Sequence, residues 1–173
     1  MRRLITFLLF AVCLRGGDLL NMNGVTIKKA AHWVGSADSI SYTPTITKDV
    51  YTKMIPGMVE HEGDDITYAA DTLTVEAGHV GDYKIQISVR FTAANANDAW
   101  RIKVYKNHVA MPSSVGRFII RSSGSGLSDT RSYFWYLQDL VIGDDISFYM
   151  TNLSASRNPT FVDFKIYMEE MLE

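Results

Sequence analysis

The chain has 173 residues, of which 47% are hydrophobic and 21% charged, with 17 Lys and Arg against 19 Asp and Glu. This length fits one domain of ordinary size, and the moderate charge and hydrophobicity exclude a disordered chain. A formal net charge of -2 argues against a dedicated nucleic-acid-binding protein, and a single cysteine excludes a disulfide framework and a cysteine-based zinc site.

The first 21 residues differ from the remainder. Two arginines precede an apolar run over residues 4–14, which contains Cys13. The run is too short to span a bilayer, which needs roughly 20 residues, but it has the layout of a secretory signal peptide. A start codon assigned too far upstream, with translation beginning at Met22, explains the same residues, and a membrane or capsid anchor is a third alternative. Without residues 1–21 the chain has 14 basic and 18 acidic residues, a net charge of -4, and no cysteine.

Residues 22–48 are predicted to form an N-terminal arm, either extended or with a short helix. The stretch 35–48 is rich in Ser and Thr and contains Pro44, a composition typical of a linker. A flexible N-terminus is one interpretation. In the other, Ile27 and Trp33 anchor the arm on a larger assembly.

Alternation of apolar and polar residues predicts strands through the rest of the chain. The most regular segment is 83–91, in which Tyr, Ile, Val and Phe occupy every second position. The same alternation recurs in residues 100–104, 146–151 and 162–169 and, less regularly, in residues 50–55, 66–70, 73–75 and 117–121. No long helical period occurs, so these short strands indicate an all-β antiparallel sandwich or barrel over residues 49–173.

Two nearly identical pentapeptides mark turns. Residues 63–67 read Gly-Asp-Asp-Ile-Thr, and residues 143–147 read Gly-Asp-Asp-Ile-Ser. In each, glycine permits a tight bend, aspartate hydrogen-bonds the nearby backbone, and a strand is predicted to begin at the isoleucine. The acidic residues of these turns are the only candidates for a calcium site, but the spaced carboxylates of a calcium-binding loop are missing, and we expect no bound metal. These candidates are Asp64, Asp65, Asp144 and Asp145.

Several short motifs follow one another in a fixed order. Gly-Asp-Tyr-Lys-Ile opens the strand at residue 81, and Lys106-Asn107 ends the next strand. An aromatic strand at residues 133–137 then leads to the second Gly-Asp-Asp-Ile turn and to a closing alternating strand. This order, from Val50 to Leu172, resembles the tumour necrosis factor/complement globular-head family of jelly rolls, with His108 where that family commonly has glycine. The resemblance implies an antiparallel two-sheet jelly roll, and the cysteine-free version is most similar to the trimeric heads of phage and other virion proteins.

Aromatic residues at predicted outward positions point independently to assembly. The strand at residues 133–137 is apolar on both sides, so Phe134 and Tyr136 are expected to point outward, and Tyr149 and Tyr167 occupy outward positions of two other strands. Tyrosine is favoured at interfaces because it buries its ring while its hydroxyl keeps a partner. We therefore expect these four residues in a homotrimer interface. The alternative is ordinary exposed tyrosines, which are common on strands.

The sequence lacks motifs for catalysis. It contains no G-x-S-x-G nucleophile elbow, phosphate-binding glycine loop or dinucleotide fingerprint. The four histidines, all predicted to lie in the arm or in turns, do not have the spacing of a metal site. We therefore expect no enzyme activity and no cofactor. A carbohydrate-active enzyme stays an alternative, because the separation of carboxylates in space cannot be read from a sequence.

Together these observations favour a structural and recognition protein. The preferred interpretation is a homotrimer on the virion surface of a phage or similar virus, as a head decoration, head-fibre or tail-fibre protein. Its arm would attach to capsid or fibre proteins, and its loops at residues 92–99, 122–130 and 153–160 would be displayed. A host-surface glycan is a candidate ligand, whereas nucleic acid and, after removal of any leader, a membrane are not expected as partners. A secreted bacterial adhesin or carbohydrate-binding module is the alternative, favoured if the leader is a signal peptide.

Overall fold

A computed structural model describes residues 20–22, 25–27, 30–76, 78–93, 97–119 and 129–171. Thirteen strands are assigned within these residues: β1 (Leu20–Met22), β2 (Val25–Ile27), β3 (His32–Ala37), β4 (Thr52–Lys53), β5 (Val59–Asp64), β6 (Ile66–Ala69), β7 (Thr72–Val75), β8 (Gly81–Ala93), β9 (Ala99–Lys106), β10 (Val109–Ile119), β11 (Asp129–Leu140), β12 (Asp145–Asn152) and β13 (Pro159–Met171). Most of the predicted leader and parts of two predicted loops, at residues 94–96 and 122–128, lie outside the described residues.

Two antiparallel sheets form a sandwich. The five-stranded sheet has the order β11-β8-β13-β3-β5. The six-stranded sheet has the order β10-β9-β12-β7-β6, with β4 also paired to β12. β1 and β2 pair in a separate two-stranded sheet. Most neighbouring strands are far apart in sequence, so the chain crosses repeatedly between the sheets, as in a jelly roll. The predicted all-β, two-sheet jelly roll is confirmed.

The core lies between the two sheets. In β8 the five apolar residues at alternate positions, from Tyr83 to Phe91, are fully buried, and the six-stranded sheet buries Trp100, Ile102 and Val104 against them. Since successive side chains of a strand point to opposite faces, the residues between them lie on the outer surface. Burying one large apolar side chain stabilises the fold by about 1.5–3 kcal/mol, and this repeated burial sets the register of the strands.

Trp33, predicted to lie in the arm, is a core residue of the sandwich. It lies in β3, between β13 and β5, and is fully buried. Its indole Nε1 donates a 2.8 Å hydrogen bond to Glu60 Oε2, and its ring centroid lies 5.2 Å from that of Tyr68. Gly35 permits this packing, because a Cβ at that position would lie 2.1 Å from the Trp33 ring. Trp33 is therefore buried inside its own chain and is not an exposed anchor.

The boundary predicted at residue 49 separates segments that the structure places together. Tyr42 pairs with Phe161 of β13, and Ile46 is buried in the core. The polar residues that indicated a linker bind the sandwich through hydrogen bonds, as Thr43 Oγ1 does with Thr160 Oγ1 at 2.9 Å. Ile27 lies in β2, opposite Leu20 of β1, and its anchoring role stays a prediction.

The turns agree with the sequence. β6 begins at Ile66 as predicted, and β12 begins at Asp145, one residue before the predicted isoleucine. Asn107 and His108 form the two-residue turn between β9 and β10, with φ angles of 49° and 65°. Positive φ at both positions is typical of the tight hairpin turns that favour Asn-Gly, so His108 adopts a backbone conformation better suited to glycine.

Candidate assembly surface

Three of the four predicted interface residues lie on the outer side of the five-stranded sheet. Phe134 and Tyr136 belong to β11, and Tyr167 belongs to β13, with β8 between these strands. Phe134 lies opposite Gln86 of β8, which in turn lies opposite Tyr167. The structure therefore brings these three side chains onto one surface, defined here as the aromatic face: Phe134, Tyr136 and Tyr167.

The two β11 residues of the aromatic face are strongly exposed. The Phe134 side chain is 59% exposed and that of Tyr136 67%, whereas Trp135 and Leu137 between and beside them are buried in the core. The strand is thus apolar on both sides, as the sequence indicates. Adjacent large exposed aromatic side chains on a sheet are typical of a contact surface.

Tyr167 is held by groups of its own chain. The Lys84 Nζ lies 5.4 Å from the centroid of its ring and 2.9 Å from Glu169 Oε2. Burial, together with a hydrogen bond to Glu169, raises the pKa of Tyr167 to about 12. Tyr167 thus has polar partners within its own chain, on a strand that lies between β8 and β3.

Tyr149, the fourth predicted residue, lies on the other sheet. It projects from the outer side of β12, and its ring stacks on that of Tyr105 with 3.9 Å between centroids. Tyr51 lies 6.3 Å from Tyr105, and the Lys103 Nζ lies 5.1 Å from the Tyr51 centroid. Burial, and then the neighbouring tyrosines, raise the pKa of Tyr105. These three residues, Tyr51, Tyr105 and Tyr149, are defined as the tyrosine stack, and it is separate from the aromatic face.

The acidic turns hold the backbone. Asp144 is almost fully buried; its Oδ1 accepts a 2.7 Å hydrogen bond from Asn107, and its Oδ2 accepts one of 2.8 Å from the Val141 amide and lies 2.7 Å from Lys106 Nζ. Burial opposes the charge, but the hydrogen bonds from Lys106, Val141 and Asn107 outweigh it and hold the pKa of Asp144 below its usual value. Asp145 Oδ1 accepts a 2.7 Å hydrogen bond from Thr74. These contacts occupy both carboxylate oxygens of Asp144 and one of Asp145.

The other acidic turn contributes to a buried cluster that the sequence did not indicate. His79, predicted in a turn, is fully buried, with its Nδ1 at 2.5 Å from Glu170 Oε2 and its Nε2 at 3.0 Å from Asp65 Oδ2. Glu170 Oε2 also accepts a hydrogen bond from the Ala31 amide. Asp64 is the last residue of β5, opposite His32. No sequence signal marks this cluster, because its members come from three distant segments that only the fold brings together.

Two features are absent from the described residues. Within that part of the chain, no three His, Cys, Asp or Glu side chains are grouped so that they could hold a metal ion. Across the same residues, no helix has the length and apolar character required to cross a membrane.

Comparisons with known proteins give the fold. No protein-family model and no curated protein matches the sequence. The structure is similar to murine APRIL, with a TM-score of 0.50 and 12% identity over 81% of this chain and 99% of that chain. It is also similar to the PRD1 vertex protein P5, at a TM-score of 0.49 and 20% identity over 82% of this chain and 97% of that one. Eiger TNF from S. frugiperda has a TM-score of 0.48 and 13% identity over 83% of this chain and 92% of its own. The chain therefore has a TNF-like jelly-roll fold, as the sequence motifs predict.

Proposed function

We propose that the chain is a non-enzymatic virion surface protein that assembles as a homotrimer through the β11 part of its aromatic face, Phe134 and Tyr136, which leaves Tyr167 accessible. The observation that carries the proposal is the pair of exposed side chains Phe134 and Tyr136, side by side on the outer surface of a sheet. Large aromatic side chains in the centre of a contact contribute most of its binding energy. Burying them between copies removes apolar surface from water and stabilises the assembly.

A ring of three copies needs a second surface. Closed rings are heterologous, so the aromatic face of one copy meets a different surface of the next. β10, the edge strand of the six-stranded sheet, supplies exposed apolar side chains for this role, with Val109 70% exposed and Val115 and Ile119 each 43% exposed. An exposed apolar edge strand can aggregate with other chains, and covering it in an assembly prevents this.

Attachment to a virion is supported by the sequence resemblance. Compact, cysteine-free heads of this family are similar to virion decoration and fibre proteins, and the chain without residues 1–21 has no cysteine. Ile27 and its neighbours precede the sandwich and are the proposed anchor to capsid or fibre proteins. A secreted adhesin, the alternative interpretation, would use the same fold without attachment to capsid or fibre proteins.

The solution mass of the full chain tests the assembly. Light scattering coupled to size exclusion at micromolar concentration should give three times the mass of the chain. A monomer mass at these concentrations would contradict the homotrimer. A dimer mass would also contradict it and would indicate a two-fold contact instead.

Mass spectrometry of purified native particles tests the virion location. Peptides of this chain should be found in the particles at a copy number divisible by three. The N-terminal peptide identifies the start: a first residue near Met22 supports the upstream-start interpretation. Processing after residues 13–15, together with absence from particles, would instead support the secreted adhesin.

A further inference from the structure

A pocket with both apolar and polar lining residues opens beside the aromatic face, where β8, β13, β3 and β5 form the outer surface of the five-stranded sheet. Its volume is about 300 Å³, at the lower end of the range for small-molecule sites, roughly 300–1,000 Å³. Val34, Ile166 and Tyr167 supply its apolar surface. Its polar lining consists of Ser36, Asp38, His61, Gln86, Ser88 and Lys165, and the site is defined as the Ser36 pocket.

A buried hydroxyl organises the pocket. Ser36 is only 6% exposed, and its Oγ donates a 2.7 Å hydrogen bond to Asp38 Oδ2. The same oxygen lies 2.6 Å from Nε2 of His61, which donates to it when the seryl proton is directed at the carboxylate. This chain of hydrogen bonds fixes Asp38 and His61 before any ligand arrives. The Ser36 hydroxyl donates its hydrogen bond to the carboxylate and not to the histidine. The histidine therefore does not act as a base on Ser36, and the arrangement favours binding over nucleophilic attack.

An irregularity of β5 places His61 over the pocket. Val34 of β3 lies opposite Glu62, but the next residue, Gly35, lies opposite Glu60, so His61 has no residue opposite it. Such a β-bulge redirects a side chain and is common beside functional sites. In regular register His61 would lie opposite Gly35, and its side chain would point to the core side of the sheet, away from Ser36.

The charges of the pocket cancel. Lys165 Nζ lies 3.5 Å from Asp38 Oδ1, and both side chains are more than half exposed. The hydrogen bond from Ser36, followed by the charge of Lys165, holds the pKa of Asp38 below its usual value, so the carboxylate is ionised at neutral pH. One negative and one positive charge side by side leave no field that favours an anion. A neutral ligand rich in hydroxyl groups satisfies these donors and acceptors without an unpaired charge.

We propose that the Ser36 pocket binds one neutral sugar ring, whose hydroxyls hydrogen-bond with Asp38 and Ser88 while its apolar face packs on Tyr167. The inference deepens the proposed function by naming the ligand class, and it rests on that function only for the exposure of the protein to glycans. The pocket itself is complete within one chain.

Nuclear magnetic resonance titration of the full chain tests the site. The probes are the methyl glycosides of glucose, galactose, mannose and N-acetylglucosamine, with inorganic phosphate as the anionic comparison. At least one glycoside should bind with a dissociation constant in the millimolar range or below and should shift the amide signals of Ser36, Ser88 and Tyr167. Phosphate should leave these signals unchanged.

Two matched variants locate the binding. Asp38→Asn should weaken binding of that glycoside by about tenfold, because a charged acceptor is replaced by a neutral one. Asp139→Asn changes an exposed aspartate outside the pocket and should leave binding unchanged. The proposal is overturned if none of the four glycosides shifts the pocket signals, if phosphate competes for them, or if the two variants behave alike.

The outcome is separable from that of the assembly. The mass of Asp38→Asn by light scattering should equal that of the wild-type protein, since Asp38 lies outside the aromatic face. A trimer that binds no glycoside overturns the sugar site alone. A monomer that binds glycoside overturns the trimer alone.

Discussion

The outer surfaces of the two sheets carry the same kind of residue in different settings. On the six-stranded sheet, Tyr149 stacks on Tyr105 and is partly covered by its own chain. On the five-stranded sheet, Phe134 and Tyr136 are 59% and 67% exposed. An aromatic residue at an outward position is therefore not by itself an interface residue. Its neighbours on adjacent strands decide whether the ring is satisfied within the chain or needs a partner.

The largest expected effect is on the stability of the buried His79 cluster. It should not change which outer surface of the sandwich forms the assembly contact. His79→Leu removes the imidazole that lies between the carboxylates of Asp65 and Glu170, and removing one member of such a buried cluster typically lowers the free energy of unfolding by about 3–5 kcal/mol. Urea denaturation measures the loss. His79→Gln keeps a hydrogen-bond donor and should lose less; equal stability of His79→Leu and the wild-type protein would contradict the role of the cluster.

Tyr136→Asp tests the contrast directly. A charge in the centre of the proposed contact should weaken assembly by about 2–4 kcal/mol per interface, and the variant should be monomeric at micromolar concentration with its fold intact. Tyr149→Asp is the matched change on the six-stranded sheet and should stay trimeric. Sedimentation velocity measures both. If Tyr149→Asp dissociates and Tyr136→Asp does not, the two surfaces have been assigned the wrong way round.

Asp144→Asn should change stability without changing assembly. The buried carboxylate has a lowered pKa in the folded protein, so its contribution is present above the unfolded pKa of about 4 and is lost as the pH falls through the folded value. At pH 7 the variant should lose about 2 kcal/mol of unfolding free energy. Near pH 3 the difference from the wild-type protein should shrink. Urea midpoints at both pH values measure it, and a constant difference would show that the carboxylate charge is not involved.

His108→Gly has the smallest expected effect, and it is stabilising. His108 has a φ angle of 65°, which glycine adopts without steric cost, so the variant should gain about 0.5–1 kcal/mol. The change lies in the β9–β10 turn of the six-stranded sheet and should leave the trimer mass unchanged. Thermal unfolding measures the gain. A lower melting temperature would show that the His108 side chain makes a stabilising contact.

Sequence patterns predict the strands in which apolar residues occupy every second position. β8, β9, β12 and β13 alternate strictly, and the structure contains all four. β5 was missed because all its residues except the last are exposed, so no alternation exists to be read. β3 was missed because Gly35 and Ser36 resemble a linker in composition. The Trp33 ring packs directly on Gly35 and leaves no room for a side chain at that position. The sequence alone does not indicate this contact.

The candidate sites were predictable only where they depend on strand periodicity. The outward positions of Phe134, Tyr136, Tyr149 and Tyr167 follow from alternation, and the structure agrees with them. Which of these residues share a surface depends on the order of strands in the sheets. The Ser36 pocket depends in addition on a β-bulge and on segments at opposite ends of the chain, and the His79 cluster combines three distant segments.

Oxidative footprinting of aromatic side chains tests the central claim most directly. Hydroxyl radicals modify exposed aromatic rings in the assembled wild-type protein, and mass spectrometry of the peptides measures the rate at each residue. Phe134 and Tyr136 are 59% and 67% exposed in the single chain. We expect their modification rates in the assembled protein to be much lower than this exposure implies. Assembly through the aromatic face would be contradicted if both residues are modified as fast as their exposure in the single chain implies.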